Sequence, residues 1–224
     1  EKKCYSGCNP PISLLYLAAS LLKNDYEVKV IDIDEDNQSF SDIITSLKKY
    51  SPDLIGIPMF SNTIHVAYKF VDFLFSQEEE WLLVLGGPHP TACAQDILTI
   101  FEKCDFVLRG ESEDSIVDLV RCIAGNNDFN TVYGLSYRNG NKIIHNPDVV
   151  LNNKIDDIPF PARKLLDSAY KKNTYWRIGH KKTTDIIITS RGCPYNCNFC
   201  FKVSDKFRCR SPENIIEELI QIRS

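Results

Sequence analysis

Three cysteines near the carboxyl end of the chain have the spacing of a metal-binding loop. Cys193, Cys197 and Cys200 lie in the stretch RGCPYNCNFC, in the pattern C-x-x-x-C-x-x-C. Four-iron clusters are normally held by four thiolates, so three thiolates leave one iron open for a substrate or a cofactor. The apolar run TDIIITSRG leads directly into the first cysteine, which predicts a buried strand followed by a loop that curls around a cluster. The spacing therefore favours an iron–sulfur site.

Two other uses of these thiols stay open on spacing alone. A structural zinc site prefers four ligands in paired motifs, and here the fourth ligand would be Cys209 or His180. A redox-active C-x-x-C pair would use Cys197 and Cys200. Both patterns match the stretch less well than the iron–sulfur interpretation does.

The composition is typical of a soluble globular protein whose cysteines are reduced. The 224 residues include nine cysteines, an odd number that fits free thiols in a cytoplasm better than a disulfide framework. Cys93, Cys104 and Cys122 lie in apolar settings and are predicted to be small buried side chains. The net charge of −4 offers no electrostatic case for a nucleic-acid partner. No apolar run reaches the length of a membrane span, so no membrane partner is expected.

Strands and helices alternate through the first half of the chain. This alternation implies βαβ units and a doubly wound parallel sheet with four strands, whose strand-to-helix loops meet at the carboxyl edge where ligands bind. By the same βαβ logic a first strand is expected before Pro10, but no strand pattern is seen there, and the chain opens on Glu1 rather than Met. The predicted strands are 26–34, 53–60, 81–87 and 104–110, and the predicted helices are 11–24, 40–50, 63–76, 91–101 and 112–124.

The second half is predicted to be less regular. Asn139-Gly140 stands between two alternating runs, which is a strong hairpin signal because both residues tolerate positive φ. Residues 151–175 are interrupted by prolines and are interpreted as a linker with one short helix. A strand at 184–192 precedes the cysteines, and Ser211-Pro212-Glu213 opens a final helix with serine as its cap.

The cysteine stretch carries a family resemblance. ITSRGCPYNCNFC resembles the signature of the radical S-adenosylmethionine superfamily, C-x-x-x-C-x-aromatic-C. The resemblance implies a [4Fe–4S] cluster on Cys193, Cys197 and Cys200, with S-adenosylmethionine on the open iron and Phe199 near its adenine. It also implies an electron donor such as a flavodoxin or a ferredoxin.

Motifs on both sides of the cysteine stretch narrow the resemblance. Five stretches resemble, in this order, the motifs of cobalamin-binding radical S-adenosylmethionine proteins. They are PPISLLYLAASLL, VLGGPHPTA, FVLRGESEDSIVDL, DDIPFPAR and RSPENIIEEL. By this resemblance residues 1–126 form a Rossmann or flavodoxin-like cobalamin-binding domain, 127–182 a hairpin and linker, and 183–224 the incomplete start of a radical S-adenosylmethionine barrel. Cobalamin contacts are then expected from Gly86, Gly87, Ser61 and Gly110. The alternative for the two adjacent glycines is an ordinary strand-ending turn.

The sequence departs from the family pattern in two ways. It lacks the D-x-H-x-x-G motif that supplies a cobalt ligand, and neither His65 nor His89 is expected to replace it. Only 24 residues follow Cys200, whereas a complete barrel needs about 250. We therefore expect a fragment that binds cofactors but does not turn over by itself, and no catalytic residue is assigned.

The resemblance implies an enzyme of anaerobic metabolism that transfers a methyl group to an unactivated carbon of a small molecule. One alternative is a methylthiotransferase-like radical enzyme without cobalamin, in which Cys4 and Cys8, with Cys93 or Cys104, would hold a second cluster. The other is a non-catalytic α/β module with a structural zinc loop.

Overall fold

The computed structural model describes residues 9–33, 38–77, 79–125, 128–172, 175, 183–204 and 206–223. The chain divides into two compact units. The first comprises residues 1–43, 154–190 and 209–224, and the second comprises residues 44–153 and 191–208.

Seven α-helices and seven strands are assigned within these described ranges. The helices are α1 (Ile12–Lys23), α2 (Phe40–Tyr50), α3 (Ile64–Phe75), α4 (Pro88–Ile100), α5 (Glu113–Gly125), α6 (Asp167–Lys171) and α7 (Pro212–Arg223). The strands are β1 (Leu54–Pro58), β2 (Leu82–Gly86), β3 (Phe106–Leu108), β4 (Leu135–Asn139), β5 (Lys142–His145), β6 (Ser190–Arg191) and β7 (Arg208–Cys209).

The second unit is built on a five-stranded sheet of order β1-β2-β3-β4-β5. The first three strands are parallel, with Leu54 opposite Leu82 and Val84 opposite Phe106. Apolar residues of β2 and β3 are almost fully buried, as expected for parallel strands with both faces covered. The α/β fold with a Rossmann-like parallel sheet is therefore confirmed. The parallel strands follow chain order, so the reversal that defines a doubly wound sheet is not among the described strands.

The predicted hairpin is also confirmed, and it has a position that the sequence did not reveal. Asn139 pairs with Lys142 across the turn, and Gly140 has a φ of 58°. β4 runs antiparallel to β3, with Leu108 opposite Leu135, so the hairpin extends the parallel sheet. Pairing between strands so different in chain position depends on tertiary packing, which local patterns do not encode.

Two predicted strands need correction. Within the described part of 26–34, residues 26–33 form no strand, although residues 26–30 alternate between half-buried and exposed positions as an extended chain does. In flavodoxin-like sheets the second strand pairs only with the first, and most of the segment ahead of Pro10, where that first strand was expected, lies outside the described residues. Of the strand predicted at 184–192, only Ser190–Arg191 is formed, paired with β7. An apolar run defines an extended segment, but a strand also needs a hydrogen-bonded neighbour.

Helix α2 begins with a reciprocal cap between Ser39 and Asp42. The Ser39 hydroxyl accepts a hydrogen bond from the Asp42 N–H at 3.2 Å, and the Asp42 carboxylate accepts one from the Ser39 N–H at 2.9 Å. These two bonds satisfy donors that have no partner inside the helix. The hydrogen bonds from Ser39 hold the pKa of the Asp42 carboxyl below its ordinary value.

The first unit has its own small core, formed by Leu15, Leu166, Ala169 and Tyr175. The Tyr175 hydroxyl donates to Asp32 at 2.8 Å, which holds the segment after α1 against this core. Glu218 on α7 is fully buried between two guanidinium groups, those of Arg163 and Arg210. A buried carboxylate that is paired twice holds the linker, the segment before α7 and α7 itself in one arrangement.

Burial alone would lower the pKa of the Arg163 guanidinium, but the carboxylates of Asp185 and Glu218 outweigh it, so the pKa is raised. The same residue donates from Nε to Asp185 at 2.5 Å. Arg163 is therefore charged at neutral pH.

Among the described residues, no helix combines the length and the apolar character that crossing a bilayer would require.

Candidate functional site

The loops after β1 and β2 interlock at the carboxyl edge of the sheet. The Met59 N–H donates to the Gly86 carbonyl at 2.8 Å, and the His89 N–H donates to the Met59 carbonyl at 3.3 Å. Gly87 lies between them with a φ of 98°, and a Cβ at this position would be 2.9 Å from the Met59 carbonyl oxygen. Only glycine fits this combination of backbone angle and close approach. The chain is therefore held tightly where β2 ends and α4 begins.

Thr91 joins the second loop to the third. Its hydroxyl donates to the Gly87 carbonyl at 2.8 Å and accepts from the Gly110 N–H at 3.0 Å. Gly110 follows β3 and has a φ of 82°, where a Cβ would meet the Val149 side chain at 2.7 Å. The sequence prediction missed Thr91. Its position in the first turn of a helix that follows two glycines is the signal that could have identified it.

His89 is held by two side chains rather than left free. Its Nδ1 lies 3.4 Å from the Ser61 hydroxyl, and its Nε2 lies 3.2 Å from the Tyr68 hydroxyl. Burial raises the pKa of the Tyr68 phenol, and the nearby Cys93 and Asp96 add to the shift, so Tyr68 stays protonated. Because both ring nitrogens of His89 have partners, the ring is fixed within the loop.

The cysteine loop lies between β6 and β7. Cys193 is partly buried, whereas Cys197 and Cys200 are exposed, and all three are free thiols. The Cys200 N–H donates to the Cys197 carbonyl at 3.1 Å. Phe199 is 93% exposed.

The three thiols share a loop without converging on one point. Within the residues that the structure describes, no group of three Cys, His, Asp or Glu side chains is placed to hold a metal ion. The loop thus has the donor set of an iron–sulfur site but not its assembled geometry. The assignment of Cys193, Cys197 and Cys200 as ligands, with Phe199 near the adenine, stays a prediction.

The remaining cysteines divide by exposure. Cys104 and Cys122 are buried, as predicted, and burial raises the pKa of the Cys104 thiol to about 12. Cys93 was also predicted to be buried, but it is only partly buried, and Cys209 is exposed. Cys4, Cys8 and His180, which entered the alternative metal sites, lie outside the described residues.

The profile of the B12 binding domain matches residues 2–120, which is more than half of the chain. The chain belongs to the B12-binding domain family. This domain is related to those of cobalamin-dependent radical S-adenosylmethionine enzymes, as the sequence motifs indicated.

Curated relatives of this B12-binding chain are longer proteins. It is 32% identical over 221 residues to an uncharacterized methyltransferase of Pyrococcus horikoshii, covering 97% of this chain and 47% of that protein. It is 29% identical over 215 residues to the anaerobic magnesium-protoporphyrin IX monomethyl ester cyclase of Synechocystis, covering 94% of this chain and 42% of that protein. The chain thus spans less than half of either relative.

Solved structures share the fold. The cobalamin-dependent S-adenosylmethionine radical enzyme OxsB, with aqua-cobalamin and S-adenosylmethionine bound, aligns with a TM-score of 0.81 at 22% identity. The alignment covers 97% of this chain and 30% of OxsB. At this identity the likeness establishes the fold alone.

The B12-binding domain brings its four predicted cobalamin residues to one edge. Gly86 ends β2, Gly87 starts the turn into α4, Ser61 lies in the loop after β1, and Gly110 follows β3. Ligands bind at this edge of open α/β sheets, and Gly87 allows the loops after β1 and β2 to pack closely there. The edge is therefore the expected place for a bound cofactor, while the individual contacts of these four residues stay predictions.

Replacing Gly87 with alanine is expected to lower the free energy of unfolding by about 1–3 kcal/mol, because alanine disfavours this backbone angle. The added Cβ would also lie 2.9 Å from the Met59 carbonyl oxygen. Chemical denaturation followed by circular dichroism measures the effect.

Gly86→Ala is the matched control, since a Cβ there would meet nothing closer than 3.7 Å. The free energy of unfolding of this control is expected to differ from that of the natural chain by no more than about 0.5 kcal/mol. Equal losses in both variants would contradict the special status of position 87.

Proposed function

We propose that this chain is the cofactor-binding part of a cobalamin-dependent radical S-adenosylmethionine methyltransferase. Cobalamin binds at the carboxyl edge of the sheet. Cys193, Cys197 and Cys200 hold a [4Fe–4S] cluster, and Phe199 packs near the adenine of S-adenosylmethionine. The observation that carries this proposal is the match to the B12 binding domain in the same chain as the C-x-x-x-C-x-x-C loop.

The proposed domain organisation follows the sequence motifs. Residues 1–126 form the cobalamin-binding domain, 127–182 the hairpin and linker, and 183–224 the opening of the radical enzyme domain. The strand Ser190–Arg191 before the cysteines and helix α7 after them support this last assignment, because a strand, loop and helix in this order form one repeat of a β/α barrel.

Methyl transfer to an unactivated carbon of a small molecule is the proposed reaction. Relatives named as methyltransferases support it, among them the Pyrococcus horikoshii protein and the cytidylyl-2-hydroxyethylphosphonate methyltransferase of Streptomyces wedmorensis. When bound, the cluster supplies the electron that cleaves S-adenosylmethionine, and cobalamin supplies the methyl group. This chain's own residues bind and orient both groups. The cluster would be reduced by a flavodoxin or ferredoxin in an anaerobic cytoplasm.

Counting metals in one sample tests the proposal. After anaerobic reconstitution with iron, sulfide and hydroxocobalamin, the chain is expected to retain about four irons and one cobalt. Close to eight irons and no cobalt would indicate a two-cluster enzyme without cobalamin instead. Zinc without iron in protein from anaerobically grown cells would indicate a structural zinc loop.

A further inference from the structure

One carboxylate in the second unit contacts both ends of the cysteine loop. Glu111, in the loop after β3, accepts from Arg191 at 3.3 Å and from Arg208 at a shorter distance. Arg191 stands two residues before Cys193, and Arg208 stands eight residues after Cys200. The two arginines thus flank the predicted cluster ligands in the sequence, and Glu111 accepts hydrogen bonds from both arginines.

The contacts around this carboxylate are well enclosed. The exposed fractions of the side chains are 4% for Arg208, 14% for Arg191 and 16% for Glu111. Glu113 adds a second partner for Arg191 at 2.6 Å, and Arg208 donates to the Asn152 carbonyl at 2.6 Å. Charge-assisted bonds of this kind keep their strength because little water screens them.

The backbone of the cysteine loop is also closely packed next to Arg191. Gly192 has a φ of 80°, and a Cβ there would lie 2.1 Å from the Lys206 carbonyl oxygen. The two arms of the cysteine loop therefore run in contact just where Glu111 holds them. A shift of the carboxylate would move both arms together.

The loop that contains Glu111 also lies at the carboxyl edge of the sheet, where cobalamin is proposed to bind. Gly110 directly precedes Glu111, and the Gly110 N–H is fixed by the Thr91 hydroxyl at 3.0 Å. Thr91 in turn is bonded to the turn at Gly87. One chain segment therefore connects the predicted cobalamin contacts to the predicted cluster loop through adjacent residues.

We propose that Glu111 is a positioning residue that couples the two cofactor sites. Glu111 orients the cysteine loop through Arg191 and Arg208. Bound cobalamin orders the loop that contains Gly110, and Glu111 transmits this ordering to the cysteine loop. This inference rests on the proposed function, because it needs both cofactors to bind. Coupling between two sites requires an element whose arrangement both ligands favour, and in this proposal segment 110–111 is that element because its neighbouring residues contact both sites.

The test measures how fast a chelator removes iron from the anaerobically reconstituted chain, with and without saturating hydroxocobalamin. In the natural chain, cobalamin is expected to slow iron loss at least about fivefold, the lower range of typical coupling. Glu111→Gln keeps the size of the side chain and removes its charge. This variant is expected to lose iron faster without cobalamin and to show less than about a twofold response to cobalamin.

Two further variants keep the result interpretable. Asp118→Asn removes an exposed ion pair with Arg121 on the same helix and is expected to behave as the natural chain does. Glu113→Gln removes only one contact of Arg191 and is expected to give an intermediate response. Binding of hydroxocobalamin by each variant, measured without iron, checks that it is folded.

The outcomes separate this inference from the function beneath it. An equal cobalamin response in the natural chain and Glu111→Gln would mean that cobalamin merely shields the cluster, which would overturn the role of Glu111. No cobalamin response in a natural chain that binds hydroxocobalamin would also overturn it, whereas a folded natural chain that binds no hydroxocobalamin would overturn the proposed function. A natural chain that retains no iron after reconstitution would overturn the proposed function itself.

Discussion

Replacing Glu218 with alanine is expected to lower the free energy of unfolding of the first unit by about 3–5 kcal/mol. The carboxylate is fully buried and paired with Arg163 and Arg210, so its removal leaves two enclosed guanidinium groups without their shared partner. Arg210 also donates to the Ile188 carbonyl at 3.0 Å, so the loss reaches the segment that leads into the cysteine loop. Urea denaturation, with hydrogen exchange of amides in α7, measures the effect.

Glu217→Ala is the matched control for this prediction. Glu217 is the neighbouring acid on the same helix and is exposed, so its loss is expected to cost no more than about 0.5 kcal/mol. Glu218→Gln, which keeps the shape but not the charge, should fall between the two. If Glu218→Ala unfolds at the same urea concentration as Glu217→Ala, the buried ion pairs do not stabilise this unit.

The largest effect on cofactor content is expected from the cysteine loop. Changing Cys193, Cys197 and Cys200 together to alanine should reduce the iron retained after reconstitution from about four atoms per chain to below about one. The absorption band at about 400 nm, which arises from sulfur-to-iron charge transfer, should disappear together with the iron. Exposed Cys197 and Cys200 contribute little to the core, so the variant should still fold.

Cys209→Ala separates the two kinds of metal loop. Cys209 is an exposed free thiol just beyond the motif, and it would be the fourth ligand of a zinc site. The iron–sulfur interpretation predicts that this variant retains its full iron content. Equal iron in the natural chain and the triple variant would contradict the cluster assignment, and loss of metal from Cys209→Ala would favour a four-ligand site.

Local signals in the sequence were sufficient for the parallel strands and the hairpin of the second unit. The run WLLVLGG gave β2 and its end, because a continuous apolar stretch stopped by glycines is typical of a buried parallel strand. Asn139-Gly140 gave the hairpin, because its turn needs positive φ. Such features depend on a few neighbouring residues, so they can be recognised without the fold.

Features that depend on distant partners could not be recognised in this way. The residues from Tyr26 onward have the alternation of a strand but no ladder in the described chain. Glu111 finds its two arginines 80 and 97 residues further along the chain. Thr91 bridges two loops through a hydroxyl whose use depends on where Gly110 comes to lie. In each case tertiary contacts, rather than local preference, decide the outcome.

The candidate site was predictable in part for a similar reason. The cysteine motif can be recognised from residue type and spacing, whereas Gly87 was assigned as a cobalamin contact through the family resemblance. Their assembly into a site is a separate matter, because the three thiols do not converge among the described residues. Metal binding and local folding are commonly coupled in thiolate loops, so the cluster itself can complete the geometry.

The central claim is that this chain binds cobalamin at the carboxyl edge of its sheet, and equilibrium titration tests it most directly. The 224-residue chain is titrated with hydroxocobalamin, and the bound fraction is followed by absorbance after rapid removal of free ligand. The account predicts saturable binding of one cobalamin per chain, weakened in Gly87→Ala, where the turn at this edge is strained. A folded chain that binds no cobalamin, or binds it without saturation, would contradict the account.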